Sequence, residues 1–374
     1  MKVLFFCNLL PRKNGSFERF LVELAARFHQ NGDALTFAFA GEPVAQVGDA
    51  LGAEGAQWDV IEGWSDGFTE HPWRFCGPAL ELLRRHRPDV AAVHFGNEIP
   101  SLAVSLLAPI FGRRGVKWVW QQDQQISPPS ALTSRLSRIR LLSLRFDRYI
   151  AVYEGGRQSL VARGIPACRT AVIRNSVADY TPRRGRGWLR QETAIPRDAT
   201  VLATVGSLVK RKRHDFLMGA MRRLPADIHL VVAGDGPMGE ALRRQCEETG
   251  LNDRVHFLGL RDDVREVVSD ADIYVHASTA ETCTYATTES MCAGKPAVVT
   301  EAGAACEQIR DGVSGYVVDP GDMEGFAARV LELARDPAKR EAMGGEARRR
   351  WDAMLRVETQ AAGYHSLYRS VAGL

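Results

Sequence analysis

A chain of 374 residues is too long for one ordinary domain and suits two, each able to bury its own core. With 45% hydrophobic and 25% charged residues and no low-complexity tract or fixed-period repeat, the composition is that of a globular protein and excludes fibrous and disordered classes. A net charge of +3 is too small to indicate a nucleic-acid binder by itself.

The cysteines and apolar runs indicate where the protein works. Seven scattered cysteines without a CxxC pair are typical of free thiols in a reducing cytoplasm, not of a disulfide scaffold or a zinc site. The opening MKVLFFCNLLPRKNG lacks a small-residue cleavage site, so it predicts a core strand and not a signal peptide. No stretch approaches the ~18 apolar residues that span a bilayer. We expect a cytoplasmic protein, with the inner face of the membrane as the alternative location.

Short apolar runs alternate with helix-length amphipathic stretches from end to end. The first series of predicted strands is KVLFFCN, ALTFAFA, DVAAVHFG, KWVWQQ, RYIAVY and TAVIRN. The second series is TVLATVGSL, IHLVVAGDG, RVHFLGL, ADIYVHAS, PAVVTEAG and SGYVVD. Near-continuous apolar strands with intervening helices indicate parallel, doubly wound sheets, so the two series predict two α/β domains.

The first predicted domain offers candidate ligand contacts where strands end. LLPRKNGSFERFLVELA turns at Gly15 into a helix that opens near Phe17, and a helix N-terminus can bind a phosphate or another ligand. A plain strand-to-helix turn is the alternative. His94 follows a buried strand and is a candidate to orient a ligand hydroxyl or act on a proton. A hydrogen-bonded structural histidine is the alternative there.

An aromatic-rich segment and an arginine-rich helix carry two further hypotheses. The aromatic residues predict either a platform for a ligand's apolar face or local core packing. They are Trp58, Trp64, Phe68, Trp73 and Phe75. The helix predicts either contact with anionic lipid, and then a lipid-linked ligand, or an ordinary helix with a solvated basic side. Its arginines are Arg135, Arg138, Arg140, Arg145 and Arg148.

A segment rich in Pro, Gly and Arg, NSVADYTPRRGRGWLRQETAIPRD, separates the two series of strands. It predicts a domain boundary near Val177 to Pro196. The amphipathic C-terminal tail has no strand after it and need not stay with the second domain. We therefore predict one domain of residues 1–178 with a helix of about 356–374, and another of 179–355.

The second domain opens with a basic turn. TVGSLVKRKRHDF places a glycine turn after the first strand of this domain, followed by Lys210, Arg211, Lys212 and Arg213. Cations here would neutralise a diphosphate leaving group, and a solvated basic loop is the alternative. The later VVAGDGPMGEAL adds a glycine-rich turn, which is a weak signal for a nucleotide by itself.

A DxD sequence at Asp270 and Asp272 superficially resembles a metal site. It immediately precedes a buried strand and fits a junction between a helix and that strand. We therefore expect no metal there.

The stretch AETCTYATTESMCAGKPAVV holds Glu281 and Glu289 with seven residues between them. A helix is predicted from about residue 285 to Gly294, which places Glu281 in a loop and Glu289 one turn inside the helix. A helical spacing puts them at most ~12 Å apart, similar to the distance from a sugar to a ribose across a diphosphate. Amides of residues 283–285 would form a phosphate site. A capping Glu281 and a solvated Glu289 are the alternatives.

The order of these motifs resembles the family-4 glycosyltransferases of the GT-B fold. The matching elements are VGSL with Lys212, VVAGDGP, RVHFLG, DVREVVSDADIYVHAS, Glu281-x7-Glu289, AGKPAVVTEAGAACEQIRDGVSGYVVDPGD and a terminal LY helix. The similarity covers essentially the whole chain and is strongest from Val201 to Asp322. It implies two doubly wound, Rossmann-like domains facing each other across a cleft, with the C-terminal helix returning to the N-terminal domain.

The resemblance also implies roles for individual residues. Glu281 would hydrogen-bond the transferred sugar, Glu289 would accept from the ribose hydroxyls, and Lys212 would bind the diphosphate. Leu258 and Gly259 would border the nucleobase.

Two groups of backbone contacts complete the implied site. Amides of Cys283, Thr284 and Tyr285 would bind the phosphates, and Gly15 would face the cleft from the acceptor-binding first domain. Cations and helix dipoles would stabilise the leaving diphosphate, so neither a metal nor a cofactor is expected.

The chain departs from the family pattern in three places, one of them a pair of residues. Ser207 stands where the family has arginine, and neighbouring basic residues are candidates to compensate. Cys283 and Thr284 replace a Phe-Gly pair and narrow the phosphate loop. Gln122 stands where a histidine often reaches the donor sugar; it can hydrogen-bond but cannot change charge.

The sequence thus predicts a retaining, metal-independent hexosyltransferase. Its donor would be a nucleotide diphosphate sugar, with UDP favoured and GDP as the alternative. Its acceptor would be a hydroxyl of a growing surface glycan, a lipid-linked sugar or a small natural product. A non-catalytic nucleotide-sugar binder and a GT-B epimerase or phosphorylase remain alternatives. A dinucleotide-dependent oxidoreductase is disfavoured because no GxGxxG follows a first strand.

Overall fold

The chain divides into two compact units. A computed structural model describes residues 1–12, 15–62, 75–94, 115–122 and 146–374. Unit 1 comprises Met1–Ala178 with Val357–Leu374, and unit 2 comprises Asp179–Arg356. From the sequence, we predict the boundaries between the two domains after residues 178 and 355.

Unit 1 is built on a parallel sheet with the strand order β3-β2-β1-β4-β5-β6-β7. Its strands are β1 (Lys2–Cys7), β2 (Ala34–Phe39), β3 (Gln57–Val60), β4 (Val90–His94), β5 (Lys117–Gln122), β6 (Arg148–Ala151) and β7 (Thr170–Val172). The helices that alternate with them are α1 (Ser16–Gln30), α2 (Ala45–Ala53), α3 (Cys76–His86) and α4 (Glu154–Ala162). Helices on both faces of a parallel sheet explain the near-continuous apolar runs, such as KVLFFC with five buried residues in succession.

Trp58 lies in strand β3, whereas the sequence predicts a loop-rich region there, and that prediction is wrong for this residue. Trp58 pairs with Phe37 of β2 at the edge of the sheet, and its indole Nε1 donates to Glu42 Oε2 at 3.2 Å. The strand is only partly buried. It therefore lacks the apolar run that identifies the other strands.

Most residues of the predicted aromatic platform and of the predicted arginine-rich helix lie outside the described residues. Phe75 is 4% exposed and contacts the ring of Phe6 at a centroid distance of 5.7 Å, which is core packing. Arg148 begins β6, and its guanidinium donates to the Asp147 carbonyl at 3.1 Å. The others lie outside the described ranges: Trp64, Phe68, Trp73, Arg135, Arg138, Arg140 and Arg145.

Unit 2 holds a second parallel sheet with the strand order β10-β9-β8-β11-β12-β13. Its strands are β8 (Thr200–Val205), β9 (Ile228–Ala233), β10 (Val255–Gly259), β11 (Ile273–His276), β12 (Ala297–Thr300) and β13 (Gly315–Val318). Its helices are α5 (Trp188–Glu192), α6 (His214–Met221), α7 (Gly239–Glu248), α8 (Val264–Asp270), α9 (Tyr285–Cys292), α10 (Ala305–Gln308), α11 (Met323–Arg335) and α12 (Pro337–Met354). All six strands predicted for this half are present.

The segment between the two series of strands is held by buried carboxylates of unit 2. The Tyr180 hydroxyl donates to Glu266 Oε1 at 2.5 Å, and the Arg183 amide donates to the same oxygen at 2.8 Å. The Gly187 amide donates to Asp270 Oδ1 at 2.6 Å. Apart from its first residues, this Pro- and Gly-rich segment is therefore an ordered part of unit 2.

The DxD sequence uses its carboxylates to join elements of unit 2. Asp270 also accepts from the Leu189 amide at 2.8 Å at the start of α5. Asp272 Oδ2 accepts from the Arg190 guanidinium at 2.6 Å and from the Val201 amide at 2.8 Å. Both aspartates thus act at the predicted junction between α8 and β11.

The C-terminal helix α13 (Val357–Ala372) belongs to unit 1 and packs along α1. A buried carboxylate fastens it there. Asp33 Oδ2 accepts from His365 Nε2 at 2.7 Å and from the Arg369 guanidinium at 3.2 Å, and the Asp33 side chain is 3% exposed. Among the described helices, none is long and apolar enough to cross a membrane.

Helix α12 crosses the end of α9 at very short range in unit 2. A Cβ atom added to Gly344 would lie 2.1 Å from the Gly294 carbonyl oxygen, which is a clash with backbone. The neighbouring Gly345 has open space, since its nearest atom is the Arg349 guanidinium at 3.7 Å. The close approach at Gly344 therefore sets the position of α12 against α9.

These adjacent glycines form a matched pair for a stability measurement. We expect Gly344→Ala to destabilise the protein by about 1 to 3 kcal/mol, because α12 must move away from α9. We expect Gly345→Ala to stabilise it by about 0.5 to 1 kcal/mol, because alanine has the higher helix propensity. Thermal unfolding of both variants measures the difference. Equal shifts of the two melting temperatures would contradict the close approach.

Candidate active site

The candidate site of unit 2 lies where the strand order of its sheet reverses. Strands β8 and β11 are neighbours at this point, and ligands of doubly wound sheets bind beyond the carboxyl ends of such strands. The turn after β8 carries Lys212, and the loop after β11 carries Glu281. The Thr279 amide donates to the Arg211 carbonyl at 3.0 Å, which ties the loop to the turn.

One oxygen of Glu281 collects three donors. Its Oε1 lies 2.6 Å from Lys212 Nζ, 2.8 Å from the Arg211 guanidinium and 2.9 Å from the Ser278 hydroxyl. The Glu281 and Lys212 side chains are 11% and 12% exposed, whereas Arg211 is 54% exposed. Glu281 is thus a nearly buried carboxylate compensated by cations from the neighbouring strand end.

Burial and neighbouring charges act in opposite directions on the pKa values of Glu281 and Lys212. Burial would raise the pKa of Glu281, but His276 and Lys212 outweigh it and hold this pKa at about 2. Burial lowers the pKa of Lys212, against the attraction of Glu281. The carboxylate is therefore ionised throughout the neutral range.

The backbone of Glu281 is supported by the loop after β12. Gly303 has φ +55°, and a Cβ atom there would lie 1.5 Å from the Glu281 carbonyl oxygen. The Ala304 amide donates to the Thr282 carbonyl at 2.8 Å. Only glycine fits this position, so the short EAGA segment is part of the site's framework.

Helix α9 begins directly after this loop, as the sequence predicts. Thr284 is its N-cap residue, and the Thr284 hydroxyl donates to Thr287 Oγ1 at 2.7 Å. The Gln308 side chain donates to the Thr284 carbonyl at 2.9 Å and to Thr288 Oγ1 at 2.8 Å. Since Thr284 is the N-cap, Glu281 does not cap this helix.

Glu289 lies inside α9 and is 7% exposed. The alternative for Glu289, a side chain on a solvated face of the helix, does not fit this burial. Cys283 is also buried, at 4% exposed, and precedes the N-cap. The two predicted glutamates and the helix start between them thus belong to one compact region of unit 2.

The corresponding point of unit 1 lies between β1 and β4, where its strand order also reverses. Gly15 is the N-cap of α1, which begins at Ser16, one residue before the predicted start. The Gly15 amide donates to Glu18 Oε2 at 3.1 Å. Glu18 is 5% exposed, and its carboxylate supplies one half of a capping box; Gly15 has no side chain to supply the other half.

His94 ends β4 and is 1% exposed. The Gln121 amide Nε2 lies 3.4 Å from His94 Nε2, and the Tyr364 hydroxyl of α13 donates to Gln121 Oε1. This is the arrangement of a hydrogen-bonded histidine in a core, and proton transfer by His94 stays a prediction. Gln122 is the last residue of β5 and pairs with Ala151.

Two family models match the chain in succession. One is described as Glycosyltransferase Family 4 and matches residues 17–179; the other, Glycosyl transferases group 1, matches residues 187–350. The chain belongs to the family-4 glycosyltransferases. The predicted family is therefore confirmed, and both units carry its signature.

Curated relatives of this family-4 chain come from bacterial glycan and metabolite synthesis. The lipopolysaccharide core biosynthesis glycosyltransferase LpsE of Rhizobium meliloti is 34% identical over 40% of this chain and 44% of that protein. N-acetyl-alpha-D-glucosaminyl L-malate synthase of Bacillus anthracis is 28% identical over 49% of each protein. The chain spans about half the length of these curated relatives.

Solved structures show the fold. The Anabaena protein HepE in complex with UDP has a TM-score of 0.81 at 20% identity, over 99% of this chain and 100% of that chain. Sucrose-phosphate synthase from Thermosynechococcus elongatus has a TM-score of 0.78 at 17% identity, over 100% and 99%. The predicted two-domain α/β GT-B fold is confirmed.

Ser207 stands where the family has an arginine, and the basic residues that follow it differ in what they contact. Ser207 itself is exposed. Arg211 reaches Glu281, while the Arg213 guanidinium lies over the Phe216 ring, 5.3 Å from its centroid. Of these two cations, Arg211 is the one placed beside Lys212.

The residues matched to the nucleobase region lie at the end of β10. Leu258 packs partly against the core on one face of the sheet, and Gly259 has φ +69°. The Gly259 carbonyl accepts from the Gly234 amide at 2.8 Å, which joins the end of β10 to the turn after β9. Leu260 follows and is 81% exposed.

Three residues that contribute to this site are not among the candidates predicted from the sequence. His276 ends β11, Ser278 follows that strand, and Gly303 lies in the loop after β12. The polar HAS at the end of an otherwise apolar strand is the sequence signal for His276 and Ser278. Which residues lie against Glu281 depends on strand direction and loop path, which the sequence does not display.

The electrostatics of this region predict an acid-sensitive stability. His214 on α6 is 4% exposed, and burial, followed by the nearby His276 and Lys212, lowers its pKa to about 4. As pH falls below about 6.5, the unfolded chain gains this proton first, so stability is lost between about pH 6.5 and 4.

We expect the His214 contribution to remove about 2 kcal/mol of unfolding free energy between about pH 7 and pH 5. Urea unfolding of the wild type and His214→Asn at both pH values measures it. The variant should lose less stability than the wild type over this interval. An equal loss in both would contradict a buried, neutral His214.

Proposed function

We propose that this protein transfers a sugar from a nucleoside diphosphate sugar to an acceptor hydroxyl with retention of the anomeric configuration. In this reaction the bond from the anomeric carbon to the phosphate oxygen breaks. A bond from the same carbon to the acceptor oxygen forms, and the acceptor's proton is released with the diphosphate. The observation that carries the proposal is the Glu281 carboxylate held beside Lys212 and Arg211 at the strand reversal of unit 2.

In the proposed mechanism the cations act on the leaving group. Lys212 and Arg211 supply positive charge where the diphosphate develops negative charge, and the start of α9 adds its dipole and amides. Among those amides, we assign Cys283, Thr284 and Tyr285 to the phosphates. This set of groups supports a reaction that proceeds without a metal ion.

Two carboxylates would position the donor. We assign Glu281 to hydroxyls of the transferred sugar, because its second oxygen Oε2 accepts none of the three donors described for Oε1. We assign Glu289, at one turn inside α9, to the ribose hydroxyls. Leu258 and Gly259 would border the base at the end of β10.

UDP is the nucleotide that we favour, and a glycan or lipid-linked hydroxyl is the acceptor that we favour. Support for UDP comes from the complexes of HepE with UDP and with UDP-glucose. Support for a glycan acceptor comes from the name of the relative in lipopolysaccharide core synthesis. A cytoplasmic location fits a nucleotide-sugar donor.

A non-catalytic nucleotide-sugar binder is the competing proposal. The observation that favours it is the exposed Ser207 at the position of the family arginine. Such a protein would bind nucleotide without transfer or hydrolysis. An epimerase would convert the donor without an acceptor, and a phosphorylase would need free phosphate.

Calorimetric titration with UDP, GDP, ADP, CDP and TDP, in the presence of a chelator, tests the donor site. We expect selective binding of UDP without metal, because Lys212, Arg211 and the start of α9 are present in the chain itself. Binding that appears only after a divalent cation is added would contradict metal independence. No binding of any diphosphate would contradict the proposed function.

Replacement of Glu281 separates turnover from nucleotide affinity. We expect Glu281→Ala to lower the release of nucleoside diphosphate from the donor by about 100-fold or more, while UDP affinity changes by less than about 5-fold. The reason is that the carboxylate is assigned to the sugar and not to the nucleotide. Glu324→Ala, an exposed position at the start of α11, is the matched control. Equal losses of turnover and affinity would contradict the assignment.

A further inference from the structure

His276 lies beside Glu281 without a direct contact. It ends β11, is 6% exposed, and its Nε2 lies 3.6 Å from Glu281 Oε1. Within the part of the chain that the structure describes, this Nε2 has no hydrogen-bond partner. A buried polar nitrogen without a partner is costly, so its position next to a carboxylate needs an explanation.

The explanation lies in the number of donors at one oxygen. A carboxylate oxygen has two lone pairs, and Lys212 and Arg211, at 2.6 Å and 2.8 Å, occupy both of those on Glu281 Oε1. The Ser278 hydroxyl has a single proton, which it can donate to the Arg211 carbonyl at 2.9 Å instead. The Lys212 ammonium is the nearest donor to Oε1, at 2.6 Å. While Lys212 stays there, Oε1 has no capacity for His276.

The proposed function assigns Lys212 to two anions. It pairs with Glu281 in the structure, and under the proposed function it also binds the diphosphate of the donor. The Lys212 ammonium cannot be in closest contact with the Glu281 carboxylate and with the diphosphate at the same time. A nearly buried Glu281 would then lose its closest cation at the moment when it has to hold the sugar, which is unfavourable at 11% exposure.

We propose that His276 is a positioning residue that becomes the hydrogen-bond partner of Glu281 when the diphosphate attracts Lys212. This inference rests on the proposed function. A movement of less than 1 Å brings His276 Nε2 within hydrogen-bond distance of Oε1, since the separation is 3.6 Å. The imidazole thus keeps the carboxylate ionised and oriented during the reaction.

The charged groups around His276 agree with this exchange. They are Lys212 and Arg211 on the turn after β8, Glu281 in the loop, and His214 on α6. Burial lowers the pKa of His276 most strongly; the neighbouring Glu281 opposes it, and the charges of Lys212 and Arg211 lower this pKa further. When Lys212 turns to the diphosphate, the balance shifts toward Glu281, and the pKa of His276 is expected to rise.

A double-mutant cycle on the full-length chain tests the proposal. UDP affinity is measured calorimetrically for the wild type, His276→Leu and His276→Gln, each with Glu281 and with Glu281→Gln. Leucine removes the donor, whereas the glutamine amide can replace Nε2. We expect His276→Leu to weaken UDP binding about 10-fold, the effect of one charge-assisted hydrogen bond, and His276→Gln less than about 3-fold.

In the Glu281→Gln background the loss caused by His276→Leu should fall below about 2-fold, because no carboxylate remains to be held. A loss that is the same in both backgrounds, or the same for leucine and glutamine, overturns the proposal and leaves a structural role. If the wild type binds no nucleoside diphosphate, the proposed function fails together with this inference. If it binds UDP and the cycle shows no coupling, only the role of His276 fails.

An NMR titration adds a readout that needs no variant of His276. The pKa of His276 is followed through its imidazole nitrogen shifts with and without saturating UDP. We expect a rise of about one unit or more, at least halved in Glu281→Gln, where the remaining rise reports the charge of the phosphates alone. An unchanged pKa, or an equal rise in both proteins, overturns the proposal.

Discussion

The candidate site depends on compensation of one carboxylate. Glu281 is nearly buried and would be unstable as an anion without the cations on the turn after β8. That turn and the loop after β11 are brought together because β8 and β11 are neighbours at the strand reversal of the sheet. A hydrogen bond from the Thr279 amide to the Arg211 carbonyl, at 3.0 Å, holds the turn and the loop together. Under the proposed function, this arrangement is preorganised for the diphosphate and the sugar of the donor.

Support for this carboxylate extends outward through unit 2 in layers. Gly303 lets the loop after β12 lie against the Glu281 backbone, and Gln308 fastens the start of α9. The Arg350 side chain of α12 then donates to the Gln308 carbonyl at 2.9 Å, while Gly344 allows α12 to approach the end of α9. Each of these contacts holds in place the segment that lies nearer to Glu281. The proposed function depends on them, since a displaced start of α9 would misdirect the amides assigned to phosphate.

Unit 1 uses a comparable device around His94. The C-terminal helix α13 contributes Tyr364, whose hydroxyl reaches Gln121, and Gln121 reaches His94 at the end of β4. Asp33 fastens the same helix through His365 and Arg369. The last helix of the chain thus completes the core beneath the strand reversal of unit 1, although the rest of that unit ends near residue 178.

The sequence by itself determined the α/β fold class, the strands of unit 2 and the start of α9. These features follow from local patterns: apolar runs, glycine turns and helix start signals. It did not reveal β3, whose partly buried edge lacks an apolar run.

Only the tertiary structure decided which side chains surround each candidate residue. Lys212 and Gly303 approach Glu281 from other segments of the chain, and the burial of Glu289 and His94 reflects packing that no local pattern records. The physical reason is that hydrogen bonds and burial depend on distances between elements far apart in the chain. Those distances are set by strand order and helix packing, which the local sequence does not specify.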